Sequence, residues 1–182
     1  MKYRSIWLLA VLTFVILLTG CVQSTVGGAS PVHIEAARVK FYHSIQELNA
    51  DAVAVVRITA TSTRSVEQSR TTPFTVTVVK VDRVLRGSVA SPTIKLRQLG
   101  SPSGAIHIED AGPLVQPGWS YVVFLIRFTY GPGRDTGQYY PVGGGAGVYL
   151  DENGMLKRLD PQSPDLPAAL SEAELQQQIG PH

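Results

Sequence analysis

Few residues in this chain are of types that do covalent or metal chemistry, and their spacing narrows what that chemistry is. One cysteine is present, Cys21. With no second thiol an intramolecular disulfide is impossible, so Cys21 is either a point of covalent attachment or a buried thiol. His107 and Glu109, two residues apart, fall on one side of an extended segment and offer two metal ligands. A catalytic or structural metal takes three or four. The other histidines, His33, His43 and His182, lie near the start of the folded chain, before the first expected helix and at the C-terminus. Neither a metal nor a cofactor is expected.

Nucleophilic catalysis by serine needs a positioned base, and no Gly-x-Ser-x-Gly elbow occurs, so no catalytic residue is assigned. The carboxylate pairs Glu109/Asp110 and Asp151/Glu152 fall in expected loops or turns, where solvated charge is the ordinary state. Gly143-Gly144-Gly145-Ala146-Gly147 has the composition of a phosphate loop without its Gly-Lys-Ser/Thr ending. It leads into a strand pattern, so it reads as a bulge or tight turn. Tyr130, Tyr139 and Tyr140 flank a glycine-rich turn. They either form an exposed aromatic contact surface or pack over one end of the domain.

The elements that position these residues begin with the N-terminal segment. Met1-Lys2-Tyr3-Arg4-Ser5 is basic, and the apolar run Ile6 to Leu18 follows. As a helix that run reaches roughly 20 Å, against a bilayer core of roughly 30 Å, so it suits a cleaved export signal better than a span. Leu18-Thr19-Gly20-Cys21 closes it. Small residues here abut a cysteine instead of being spaced as Ala-x-Ala, and the pattern resembles the lipobox of bacterial lipoproteins. That resemblance implies a signal peptide over 1–20. It also implies that Cys21 becomes the N-terminus and carries palmitate-type acyl chains. The chain would then be held on the extracytoplasmic side of the cell envelope, since two or three chains anchor firmly where one does not. Val22, not aspartate, follows the cysteine, so the resemblance gives no reason for inner-membrane retention in a cell with an outer membrane.

Residues 21–31 are small and polar, the composition of a flexible tether, with a root-mean-square span of about 17 Å. The remaining 32–182 are expected to form a single domain. The formal charge of +2 is that of Lys2 and Arg4 in the signal, so the exported chain is neutral. Without longer Lys/Arg clusters there is no electrostatic footprint for nucleic acid.

Along this domain, Ser44-Ile45-Gln46-Glu47 is a capping box that starts a short helix to about Asn49, and Val53 to Thr59 is a β-branched strand. Residues 61–72 read as a solvated loop. In Phe74 to Leu85 the alternation changes phase after Val79, so that Val79, Val81 and Leu85 share a face, which predicts a β-bulge. Thr93 to Leu99 alternates, with Ile94 and Leu96 inward and Lys95 and Arg97 in solvent. A long loop over 100–118 precedes Trp119 to Phe128, the most apolar run, which reads as a central strand. Proline 141 marks an edge or strand end after Gln138-Tyr139-Tyr140. A hairpin follows, with Asn153-Gly154 at its turn. Ser171-Glu172-Ala173-Glu174 caps a second helix with Leu170 and Leu175 as its staple, ending at Gly180-Pro181.

Ala50 to Val56, Phe74 to Leu85 ending in Val84-Leu85-Arg86-Gly87, and Pro117-Gly118 before Tyr121-Val122-Val123-Phe124-Leu125 form an ordered set. It resembles the netrin-like module shared with tissue inhibitors of metalloproteinases, and a group of bacterial lipoproteins. The implied fold is mainly β, an OB-like (netrin-like) antiparallel barrel with about six or seven strands and two short helices. In the inhibitors a free N-terminal cysteine chelates the target's zinc. Here Cys21 would carry lipid and has no partner cysteine, so that mechanism is not implied. Lys80, Arg83, Lys95 and Arg97 are candidate positives for nucleic acid, but Asp82 is interleaved, and no such partner is expected.

The function expected is that of a lipid-anchored, non-enzymatic binding or interaction module of the envelope. Its surface would comprise the 100–118 loop and the Tyr130 to Tyr140 region, facing another envelope protein. The alternatives are a small-molecule carrier with a barrel pocket and a hydrolase whose site assembles from distant residues. Phe124, Leu125 and Ile126 argue for a filled core.

Overall fold

The computed structural model describes residues 32–35, 40–70, 72–103, 106–109, 111–130 and 134–180. Leu18, Thr19, Gly20 and Cys21, with the export segment and the tether to 31, lie outside the described residues, as do Asp110 and the Gly131-Pro132-Gly133 turn. In chain order the elements are β1 (Val32–Glu35), α1 (Ile45–Asp51), β2 (Ala54–Ser69), β3 (Thr72–Gly87), β4 (Thr93–Leu99), β5 (Ile106–Glu109), β6 (Ser120–Thr129), β7 (Asp135–Pro141), β8 (Val148–Glu152), β9 (Met155–Arg158), β10 (Ala169–Ser171) and α2 (Glu172–Ile179). No helix among the described residues is long and apolar enough to cross a membrane.

β2 pairs antiparallel with β3 and β6, β3 with β4, and β6 with β7. β4 meets β7 in parallel at Lys95↔Gln138 and Leu96↔Tyr139. The strands β6-β2-β3-β4-β7 therefore form a partly closed five-stranded ring of the OB-like kind. The other edge of β6 is divided: Leu125 to Thr129 pairs with β7, whereas Tyr121 to Val123 pairs with β8, from which β9 and β10 extend the sheet. β1 and β5 make a separate two-stranded parallel ribbon. The expected class, a mainly β barrel-like fold with two short helices, is the one observed. The strands outnumber the six or seven expected, and two of the pairings are parallel.

The period of two along the strands divides the apolar residues between two cores. Inside the ring lie Ala54, Val56, Ile58, Val79, Ile94, Leu96, Tyr121, Val123, Leu125 and Tyr139. On the other face Val55, Val122, Phe124 and Tyr149 pack with Ile45 and Leu48 of α1 and Leu175 and Ile179 of α2. β6 is thus buried on both faces from Tyr121 to Leu125, which is why its sequence is continuously apolar.

Three local expectations change. Residues 61–69 are not a loop but the outer half of β2, of which Arg64 to Ser69 pair with Thr72 to Thr77 of β3. That half lacks apolar periodicity because its backbone bonding, not burial, holds it. On β3 the phase does not switch at Val79: Thr75, Thr77 and Val79 are buried and Val81 packs with them. The register shifts fall opposite Val78, at Asp82 and at Leu85, so Leu85 reaches the helix-side core and does not share a face with Val79. Arg97 is not in solvent but 1% exposed.

The helix ends and hairpin follow the sequence signals. Ser171 Oγ accepts from Glu174 N, and the Glu174 carboxylate accepts from Ser171 N, with Leu170 and Leu175 buried beside it. At α1 the Ser44 hydroxyl accepts from Glu47 N, but Glu47 reaches one residue further back, to His43 N at 2.9 Å. Asn153 and Gly154 both have positive φ, as a two-residue turn between β8 and β9 requires.

His43 Nδ1 lies 2.6 Å from Asp165 Oδ2. That hydrogen bond, with the carboxylate charge, holds the imidazole above its ordinary pKa. A raised value stabilises the fold fully below the ordinary pKa, and the contribution is lost as pH rises through the raised one. Titration of the His43 ring protons by NMR is expected to show this elevation, and Asp165→Asn to remove it. An unchanged midpoint in that variant would show that the contact does not persist in solution.

Candidate functional site

The nominated tyrosines do not act as one group. β7 alternates, so Tyr139 turns into the ring at 3% exposure, where its hydroxyl has no partner among the described residues. It is therefore no part of an exposed surface. Tyr140 turns outward, and Tyr130, just past β6, is 58% exposed. These two meet through Phe128, whose ring centroid is 4.6 Å from that of Tyr130 and 4.9 Å from that of Tyr140, both edge to face. Phe74 of β3 joins at 6.1 Å from Tyr140.

The centre of this cluster is Arg97, which sequence reasoning placed in solvent. Its guanidinium carbon lies 4.1 Å from the Phe74 centroid and 4.8 Å from that of Phe128. Nε donates to Tyr140 Oη at 2.9 Å, and Nη1 donates to the Glu67 carboxylate. Glu67 also accepts from Gln138 Nε2 at 2.9 Å. The outer half of β2 therefore carries the counter-ion that allows a charge to be buried against aromatic faces. Burial pushes the Tyr140 phenol upward, partly opposed by its bond to Arg97. The arrangement is an aromatic platform from which Tyr130 projects.

The 100–118 loop is only partly available. Val115 is fully buried against the ring core. Its N–H donates to Gln98 Oε1 at 3.0 Å and its carbonyl accepts from Arg64. Gln116 N donates to Tyr121 Oη at 2.8 Å. These contacts fasten 113–116 over one end of the ring. Gly112 crosses directly over Gly145, whose turn spends its N–H groups internally, among them Gly147 N on Val142 O at 2.9 Å. The glycine run is a turn, as expected.

The Asp151/Glu152 pair is engaged. Asp151 and Glu172 both bind Arg57, and Glu172 also binds Arg83, making a partly buried network of four charges. Asp151 is thus paired and not simply solvated. Glu152 pairs with Lys157. Beside them Trp119, Ser120, Asn153 and Gly154 line an open polar groove. No group of three or more described His, Cys, Asp or Glu side chains is gathered as a metal site. For His107 and Glu109 the structure defines the backbone: they lie on β5, whose neighbour is β1. No protein-family model and no curated protein matches the sequence.

Proposed function

We propose that this protein is a lipid-anchored, non-enzymatic interaction module of the cell envelope, held by acyl chains on Cys21 and contacting another envelope protein through the aromatic platform. The observation that carries this reading is the exposed Tyr130, set edge to face against Phe128, which in turn meets Tyr140 and the buried Arg97. Amphipathic aromatics held rigid before binding lose little entropy on contact and dominate interface energetics. The ring interior, filled by Val56, Ile58, Leu96, Tyr121, Val123 and Leu125, counts against a carrier pocket. The basic N-terminus, the apolar run and the Leu18-Thr19-Gly20-Cys21 ending support the anchor.

Two measurements test it. Metabolic labelling with palmitate is expected to mark the full chain and to fail with Cys21→Ser. In-cell crosslinking, with captured proteins identified by mass spectrometry, is expected to recover one envelope protein, with affinity reduced about 30-fold by Tyr130→Ala. Recovery unaffected by Tyr130→Ala would remove the platform from the interface. A purified chain that captures no protein but carries a bound small molecule would favour the carrier.

A further inference from the structure

Two copies of one motif lie far apart in the chain, Val32-His33-Ile34-Glu35 and Ile106-His107-Ile108-Glu109. The fold sets them side by side. β1 and β5 pair in parallel and in register, His33 with His107, Ile34 with Ile108, and Glu35 with Glu109. Residues two apart share a face of a strand, so both histidines and both glutamates fall on one face of the ribbon. Ile108, between His107 and Glu109, lies on the other face and is buried. Taken alone, His107 and Glu109 fall short of the three or four ligands a metal takes; the register adds the missing two.

We infer that the face carrying His33, Glu35, His107 and Glu109 is a binding site for a divalent transition-metal ion of the zinc type. Neighbouring strands are about 4.8 Å apart and alternate residues about 6.7 Å, so the four positions span a patch of roughly 5 by 7 Å. Metal–donor bonds of about 2 Å are compatible with donor residues placed on a patch of that size. Mixed imidazole and carboxylate donors suit zinc and its neighbours in the first transition row, whereas calcium and magnesium take oxygen ligands. Four protein donors make a closed, structural site.

A cation on this face would also stabilise the ribbon. It is short, parallel and separate from the eight-stranded sheet, and two-stranded pairings of this kind are marginal. Glu35 beside Glu109 adds like charge across the pairing, which is destabilising. One divalent ion offsets both, tying the start of the domain to the loop between β4 and β6. The inference goes beyond the proposed function and stands without it.

The test is Zn²⁺ titration of the full chain in detergent, without a histidine tag and after chelator treatment, read by competition with a chromogenic chelator. One Zn²⁺ per chain is expected, and Co²⁺ in its place should give the strong visible absorption of a four-coordinate ion. His33→Asn and His107→Asn should each weaken binding by about 100-fold or more, Glu109→Gln by about 10-fold or more, and His43→Asn not at all. Zinc should raise the melting temperature of the parent chain and not that of His107→Asn. Circular dichroism of each variant confirms that the barrel is intact. Fewer than one ion per chain, an affinity unmoved by both His33→Asn and His107→Asn, or a loss on His43→Asn overturns the site.

Discussion

Replacing Arg97 by methionine is expected to destabilise the domain by about 3 kcal/mol, a fall in melting temperature of about 6–12 °C for a domain of this size. Arg97 is the largest fully buried side chain among the described residues. Its removal forfeits charge-assisted hydrogen bonds to Glu67 and Tyr140, each kind worth about 1.5–3 kcal/mol, and cation–π contacts with Phe74 and Phe128 worth about 0.5–2 kcal/mol. Methionine fills most of the space, so the cavity cost is small. The Glu67 side chain is 37% exposed and regains water, which keeps the loss near the low end of the range for broken buried pairs.

The conservative variant separates geometry from charge. Arg97→Lys retains a cation but not the planar fork that meets Tyr140 and Glu67 together, so it should recover less than half of the loss. Adding Glu67→Gln to Arg97→Met removes the orphaned carboxylate, and the two changes should couple by about 1 kcal/mol or more. Urea unfolding of the parent, Arg97→Met, Arg97→Lys, Glu67→Gln and the double variant gives these values. A methionine variant within about 0.5 kcal/mol of the parent would mean that Arg97 is solvated and that the platform beneath Tyr130 is not rigid.

Arg97 also shows where sequence reasoning stops. Alternation in β4 places Ile94 and Leu96 inward correctly, and from the same rule a charged residue at 97 reads as solvent-facing. Its burial depends on Glu67, supplied by the half of β2 whose composition reads as a loop, and on rings from β3, β6 and β7. Features governed by neighbouring residues were legible: the Asn153-Gly154 turn, the Ser171 box and the central place of β6 in the sheet. The parallel pairing of β1 with β5 has no local signature, so the His33↔His107 register is visible only in three dimensions. The tyrosines were legible as a surface only in part, because period two along β7 splits Tyr139 from Tyr140.

Gly112→Ala is expected to cost about 3–4 kcal/mol, and Gly145→Ala less. A Cβ on Gly112 would lie 2.4 Å from Gly145 Cα, and its φ of +69° is a conformation that alanine adopts only under strain. The conformational share is about 1–2 kcal/mol and overpacking adds about 1–3 kcal/mol. At Gly145 the Cβ would meet Gly112 Cα at 2.8 Å, but φ is not positive there, so only the steric share remains. Relief is hard to find because both partners are backbone. The Gly145 turn is locked to the centre of the sheet by Phe124 N on Gly147 O and Val142 N on Phe124 O, at 2.9 and 2.8 Å. The strain must therefore move the loop that carries Val115 out of the end of the ring. Proteolysis of Gly112→Ala in native buffer should cut within 111–118 at concentrations that spare the parent chain. Equal resistance, together with equal urea midpoints, would show that the loop does not seal the barrel.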